Sequence, residues 1–353
     1  MLRRLPQISG GIRANPPKGQ ERNTMLVILP VAGKGTRLRP HTHTHAKSLV
    51  QVAGKTVLEH IMSRLTNIPV REFAFITDEN GSQIENFMLT HFPKMNCSYT
   101  VQHERLGPAH AVFMAADRVQ PGEDILVVFN DTIFVTDLSR IPSLSEGCDG
   151  LIYSKEVEDY QRFGVNVMQD DFIVEMVEKP EKPVSKLAQV GLYYLKDGQA
   201  FMQSIGEVIE AGETVKGEYF LPSVFMRMIR AGKKFRAPEI DAWLDCGKPE
   251  TLLETNRYLL KEHSENRGEI IRSVVVGPVY IGEGTVIRDS SIGPYVSVAS
   301  NCQIEGSFIR DTIINEGSYV KSVLLTQSLL GEKVRVTGRQ ASLNVGDHSQ
   351  IEM

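Results

Sequence analysis

With 353 residues, 41% of them hydrophobic, the chain is long enough to bury two sizeable cores. A formal net charge of −4 excludes a whole-chain field that would draw nucleic acid, so any functional positive charge must be local. No apolar run approaches the roughly 20 residues of a membrane span, and the four scattered cysteines (Cys97, Cys148, Cys246, Cys302) lack the spacing of a zinc site or a disulfide framework, as expected of free thiols in a reducing, cytoplasmic setting.

Residues 1–24 carry five basic side chains against Glu21 alone, have no hydrophobic periodicity and lack the apolar centre of a signal peptide. They are expected to form a disordered extension, which leaves Met25, at the head of the first strand, as a candidate start. The apolar run Met25–Leu29 reads as a buried parallel strand. It feeds Leu29-Pro-Val-Ala-Gly-Lys-Gly-Thr-Arg-Leu-Arg-Pro40, in which Gly33 and Gly35 allow close backbone approach and Arg37, followed by Lys47, adds fixed positive charge. Leu38 stands where a dinucleotide fingerprint needs its third glycine, and Leu49 where a Walker A loop around Gly54-Lys55-Thr56 needs its first. A strand, a Gly-x-Gly turn and two cations still describe a site for a nucleoside triphosphate.

Further along, Thr56–Leu65 fits a helix, Glu72–Ile76 a strand, Pro108–Asp117 a helix and Ile125–Phe129 a strand. The alternation predicts an α/β region with a doubly wound, mostly parallel, Rossmann-like sheet, whose ligands bind beyond the carboxyl ends of the strands. Between these elements lies Gln102-His-Glu-Arg-Leu-Gly107-Pro-Ala-His-Ala. The Gln102 amide is able to read the imide edge of a pyrimidine, or is simply a solvated loop residue. Asp131 follows an apolar run, as either a ligand or a turn residue, and Asp245 ends the strand-like Trp243-Leu-Asp. Phe163-Gly164, Glu178-Lys179-Pro180 and Val190-Gly191 complete the polar positions of interest, the middle one also readable as an ordinary charged turn. Pro249 opens a helix over 249–261 that closes this region.

After about residue 270 the period changes. Val276, Ile281, Ile287, Ile292, Val298, Ile304, Ile309, Ile314, Val320, Leu325, Leu330 and Val336 recur in steps of five or six, with Gly, Asn, Ser and Asp between them. That period belongs to a hexapeptide left-handed parallel β-helix, here of about four coils, and the regular step is read as ending near residue 330. The expected domains are therefore 1–24, 25–262 and 263–353.

The blocks from Gly33 to Gly247 resemble, in order, the motifs of sugar-1-phosphate nucleotidyltransferases, whose signature runs Gly-Gly-x-Gly-Thr-Arg and then Pro-Lys. Ala32 replaces the first glycine, as in many uridylyltransferases of the family. Ala46 replaces the proline, which is expected to loosen the loop before Lys47, and Phe163 replaces a common tyrosine. The resemblance implies that Ala32, Gly33, Gly35, Thr36, Gln102 and Gly107 line the triphosphate, and that Gly164, Glu178 and Gly191 admit the sugar. It also implies that Asp131 and Asp245 hold Mg²⁺ and that Arg37, Lys47 and Lys179 carry the catalytic charge. The closing Val-Gly-Asp-His-Ser-Gln-Ile-Glu (345–352) is similar to the long form of glucose-1-phosphate thymidylyltransferase. The implied activity is transfer from dTTP to a sugar 1-phosphate, glucose 1-phosphate first, with uridylyl transfer as the alternative. Small-molecule substrates, no nucleic acid, no membrane and a homo-oligomer are the expected partners. An acyltransferase would need a base on its β-helix, and after residue 263 there is only His348; a non-catalytic regulatory relative would not need both aspartates and all three cations.

Overall fold

In the computed structural model, residues 24–79 and 81–338 are described. The extension expected over residues 1–24, except for Thr24, and the closing 345–352 segment lie outside them. Met25–Pro30 is buried along its length and pairs in parallel with Val70–Thr77 on one side and Ile125–Val128 on the other, and Cys97–Val101 extends this parallel half. Both faces of the sheet are covered. Val27, Leu29, Phe73 and Phe75 face the Val57–Leu65 and Pro249–Glu262 helices, while Leu26, Ile28, Ala74 and Ile76 face Pro108–Phe113, Gly198–Glu210 and Leu221–Arg230. Burial on both faces is why the strands read as continuous apolar runs and not as alternations.

Past Ile125–Val128 the sheet changes sense. Leu187–Leu195 pairs antiparallel with it and with Gly150–Glu156, and Phe172–Glu178 pairs antiparallel with Gly164–Gln169. The α/β sheet is thus parallel in its first half and mostly antiparallel in its second, where Phe235–Arg236 adds a short parallel pairing to Gly150–Glu156. Thr56 caps the first helix by accepting from the Glu59 amide at 3.0 Å. The helix expected over 108–117 ends at Phe113 and gives way to a 3₁₀ turn, Ala116–Arg118, whose Arg118 carbonyl is taken by the Arg71 guanidinium at 2.9 Å.

From Glu265 onward short strands wind into a parallel β-helix with three faces. Ile287 pairs with Ile304 and Ile304 with Val320, so a coil takes 17 or 16 residues, and the pairing continues through Lys321–Thr337. The regular step therefore runs to 338, where Gly338 N–H donates to the Lys321 carbonyl at 2.9 Å, and does not end near 330. Corners stack as sharply as strands. Arg272, Asp289, Gly306 and Ser322 form one column of left-handed residues, Gly284, Asn301, Gly317 and Lys333 a second, and Tyr295, Asp311 and Gln327 a third. One such residue per corner explains the Gly, Asn, Ser and Asp between the aliphatic steps. All ten expected interior positions from Ile281 to Leu330 are buried or pack inward, as does Val336. Val276 is the exception: it stands 47% exposed at a corner, and Val275 packs inward in its place.

The two regions share a core. Ile313 belongs to the same apolar cluster as Val27 and Leu252, and Tyr280, Tyr295 and Leu329 pack against it. Asn256, fully buried on the Pro249–Glu262 helix, accepts from the Ala53 amide at 3.0 Å and the Ser297 hydroxyl at 2.6 Å and donates to the Tyr295 carbonyl at 3.2 Å. Arg257 grips Asp311 bidentately, with Nε 2.6 Å from Oδ1.

Candidate active site

Thr132–Val135 and Ala242–Asp245 form a two-stranded antiparallel ribbon in which Asp245 lies opposite Thr132. The Cys246 amide donates to the Asp131 carbonyl at 3.0 Å, so the ribbon holds Asp131 and Asp245 side by side at its open end. Gly247 N–H donates to Asp245 Oδ1 at 2.7 Å, and Thr255 holds the Asp245 carbonyl at 3.0 Å. Burial pushes the neighbouring Cys246 thiol up to about 12, which keeps it protonated and unreactive, and all four cysteines are free.

Cations stand against both carboxylates. Lys47 Nζ lies 3.4 Å from Asp131 Oδ2 with its side chain only 9% exposed, and an Arg162 guanidinium nitrogen lies 4.0 Å from Asp245 Oδ2. Two hard oxygen donors, no thiolate or imidazole beside them and compensating cations suit Mg²⁺, which ordinarily takes one or two protein carboxylates and completes its shell with water and phosphate. Among the described residues no group of three or more metal-ligating side chains exists, so a closed all-protein cage is not on offer.

The Lys47–Asp131 pair stands between two clefts. The larger, about 580 Å³, is lined by Arg37, Asp131, Asp245, Gly164, Glu178, Lys179 and Gly191. Lys179 has φ +47, a left-handed backbone that costs a non-glycine residue about 1–2 kcal/mol. Its amide donates to the Phe163 carbonyl at 3.0 Å, its ammonium sits 3.1 Å from Glu178, and it lies 4.8 Å over the Phe220 ring. A side chain at 164 would come within 2.9 Å of a Glu178 carboxylate oxygen and displace that carboxylate. At 191 (φ +79) one would come within 3.0 Å of Phe129.

The second cleft, about 460 Å³, is lined by Gly33, Lys47 and Gln102. Among the described residues nothing lies within 4 Å of a side chain added at Gly33, whereas at Gly35 (φ +58) one would meet Lys47 Cβ at 3.0 Å. Gly35 thus seats the loop on the Lys47 stem. Ala32, Gly35, Thr36 and Gly107 line neither cleft. Gly107 has its own reason, since a side chain there would run within 2.6 Å of the Tyr219 backbone nitrogen. That close packing is also what the Gly217-Glu218-Tyr219 segment provides, with Tyr219 N–H donating to the Leu106 carbonyl at 2.7 Å.

The loop before Lys47 is not loose. Ala46 N–H donates to Gln83 Oε1 at 2.9 Å, a bond that proline would lack, and the same Gln83 amide donates to the Thr44 carbonyl at 2.9 Å. Sequence reasoning missed Gln83, and also Arg162 and Gln189 in the larger cleft. Gln189 is fixed by an aligned chain: Tyr193 donates to it, and it donates to Asn166, which donates to Ser154. Arg162 was signalled by its place directly before Phe163-Gly164; Gln83 and Gln189 carry no local signal.

A family model described as nucleotidyl transferase matches residues 26–262. A glucose-1-phosphate thymidylyltransferase of Streptomyces antibioticus is 31% identical over 93% of this chain and 99% of its own length. A UTP–glucose-1-phosphate uridylyltransferase of Haloferax volcanii is 29% identical over 68% of this chain and 99% of its own. Among solved structures, a UDP-glucose pyrophosphorylase from Acinetobacter baumanii shares the fold, with a TM-score of 0.58 over 68% of this chain and 94% of that one at 22% identity.

Proposed function

The chain belongs to the nucleotidyl transferase family, and on that premise we propose that it joins a sugar 1-phosphate, glucose 1-phosphate first, to dTTP, releasing pyrophosphate and forming a nucleotide sugar. Uridylyl transfer is the second reading, favoured by Ala32-Gly-Lys-Gly and by the uridylyltransferase relative. The observation that carries the proposal is the pair of clefts meeting at Lys47 and Asp131: one has room over Gly33 beside an ammonium, the other offers a carboxylate and an ammonium beside two space-making glycines.

A phosphate monoester has its second pKa near 6 and is mostly dianionic at pH 7, so the attacking oxygen needs no general base. The obstacle is bringing two polyanions into line, and catalysis is then positioning and charge stabilisation. Lys179 would hold the sugar phosphate and Glu178 the sugar hydroxyls, with Gly164 and Gly191 leaving space for the ring. Lys47 and Arg37 would stabilise charge gathering on the departing pyrophosphate. Asp131 and Asp245 would hold Mg²⁺, the metal generally used in this family, which when bound supplies Lewis-acid charge to phosphate oxygens.

No helix of the described residues is long and apolar enough to cross a membrane. That, with four free thiols and small-molecule substrates, supports a cytoplasmic enzyme without nucleic-acid or membrane partners; a homo-oligomer remains part of the proposal. Pyrophosphate release assayed over dTTP, UTP, CTP and ATP against several sugar 1-phosphates tests the reading. Turnover with dTTP or UTP and glucose 1-phosphate is expected, and no release with any pair would sink it.

A further inference from the structure

Gln102 sits at the end of the Cys97–Val101 strand, buried to 6% exposure, with its own amide N–H donating to the Thr77 carbonyl at 2.8 Å. Its side-chain Nε2 lies 3.0 Å from Nδ1 of His110, which stands on the first turn of the Pro108–Phe113 helix. An amide nitrogen has no lone pair to offer, so the ring nitrogen must be the acceptor and carry no proton. Burial lowers the pKa of His110, which favours that neutral ring. One amide hydrogen is thereby committed, and the amide cannot rotate by half a turn without placing its carbonyl against the Nδ1 lone pair. What remains free is an adjacent carbonyl and N–H, in fixed order, on a residue lining the smaller cleft.

We propose that His110 is a positioning residue for base selection: by accepting from Gln102 it locks the amide so that its carbonyl meets the ring N–H, and its N–H a ring carbonyl, of a uracil or thymine. This rests on the reading of Gln102 as the residue that faces the base. Cytosine bears a lone pair where the imide bears N–H, so the locked amide opposes it carbonyl to lone pair; a freed amide turns over and accommodates it. The assignment gives discrimination against cytosine a physical origin eight residues from the group that performs it. In the sequence, His110 falls within the Gly107-Pro-Ala-His-Ala stretch after Gln102 that resembles the family's base-reading segment, but nothing in the spacing shows the bond between the two side chains.

The test uses two replacements at one position. Asn Oδ1 occupies the place of His Nδ1 and keeps the acceptor, whereas Leu of similar size removes it. His110→Leu is expected to raise KM for UTP and dTTP by about tenfold, the scale of losing one buried hydrogen-bond partner, and to narrow the preference for UTP over CTP by a similar factor, with kcat at saturation changed less. His110→Asn is expected to restore both toward the parent. In a Gln102→Leu background, His110→Leu should add almost nothing. If His110→Leu does not fold, His110→Ala carries the same expectation. Unchanged KM and base preference in the histidine variant, or an effect that persists undiminished in the Gln102→Leu background, overturns the proposal while leaving Gln102 in place. A Gln102→Leu variant with unaltered triphosphate KM overturns the underlying reading of Gln102 and the proposal with it.

Discussion

The two halves of this molecule use the same unusual backbone in opposite ways. In the β-helix, left-handed residues recur in columns at the corners, Arg272, Asp289, Gly306 and Ser322 one coil apart, and each turns the coil. In the α/β half the left-handed non-glycine residues Ala53, Asp170, Lys179 and Lys216 stand singly, and of these Lys179 lines the larger cleft, with its amide tied to Phe163 and its ammonium beside Glu178. Repetition there marks architecture; at Lys179 the same backbone sets a side chain at a cleft. The same contrast holds for glycine. Gly164 and Gly191 clear space in front of Glu178 and behind Phe129 at the cleft, while Gly284 and Gly317 bend the coil and make room for the next coil's corner residues, Asn301 and Lys333.

The largest expected effects separate the halves. Asp131→Asn or Asp245→Asn, on partly exposed carboxylates, should lower kcat by roughly two orders of magnitude or more at saturating Mg²⁺ and leave the melting temperature nearly unchanged. Ile304→Ala, at a buried position of the β-helix interior, should do the reverse. It should lower stability by about 3 kcal/mol by denaturant titration while kcat of the folded enzyme stays near the parent's. An aspartate variant that turns over like the parent would remove the carboxylates from the centre.

A smaller effect tests how separate the halves are. Asn256→Leu leaves the Ala53 amide, the Tyr295 carbonyl and the Ser297 hydroxyl without their partner, at a cost of about 2 kcal/mol. Because Ile313 shares the core of the α/β half, calorimetry should show one transition moving down as a unit. Two resolved transitions would mean that the β-helix is a detachable appendage. The smallest effect belongs to Ala46→Pro. Ala46 already has φ −59, so proline fits and gains about 0.4–1 kcal/mol through the unfolded chain, against about 1 kcal/mol for the lost bond to Gln83. Net stability should shift by less than about 1 kcal/mol, and a larger loss would show that the Gln83 stitch matters more than the backbone.

How much of this could be read beforehand follows from the same contrast. The β-helix was legible because each aliphatic step meets the same surroundings. Apart from the regular step running on to 338, the one interior position misread, Val276 for Val275, falls at a corner, where the period alone cannot tell which of two valines turns inward. In the α/β half the three central strands and the helices at 56–65, 108–117 and 249–261 were legible, but the Gly81–His91, Gly198–Glu210 and Leu221–Arg230 helices were not singled out, and neither was the antiparallel turn of the sheet after Ile125–Val128, since burial on both faces hides strand sense. The cleft residues around Asp131, Lys47 and Lys179 were found through local motifs. Gln83, Gln189 and the bond between Gln102 and His110 were not, because each depends on a contact between elements that leaves no spacing in the chain.

The most direct measurement is the division of labour across the Lys47–Asp131 boundary, read as steady-state KM for each substrate in Lys47→Ala and Lys179→Ala. Lys179→Ala should raise KM for the sugar phosphate and lower kcat with little change in KM for the triphosphate, and Lys47→Ala should weaken the triphosphate and lower kcat with little change for the sugar phosphate. If Lys179→Ala instead changed only the KM for the triphosphate, the two clefts would be assigned to the wrong substrates.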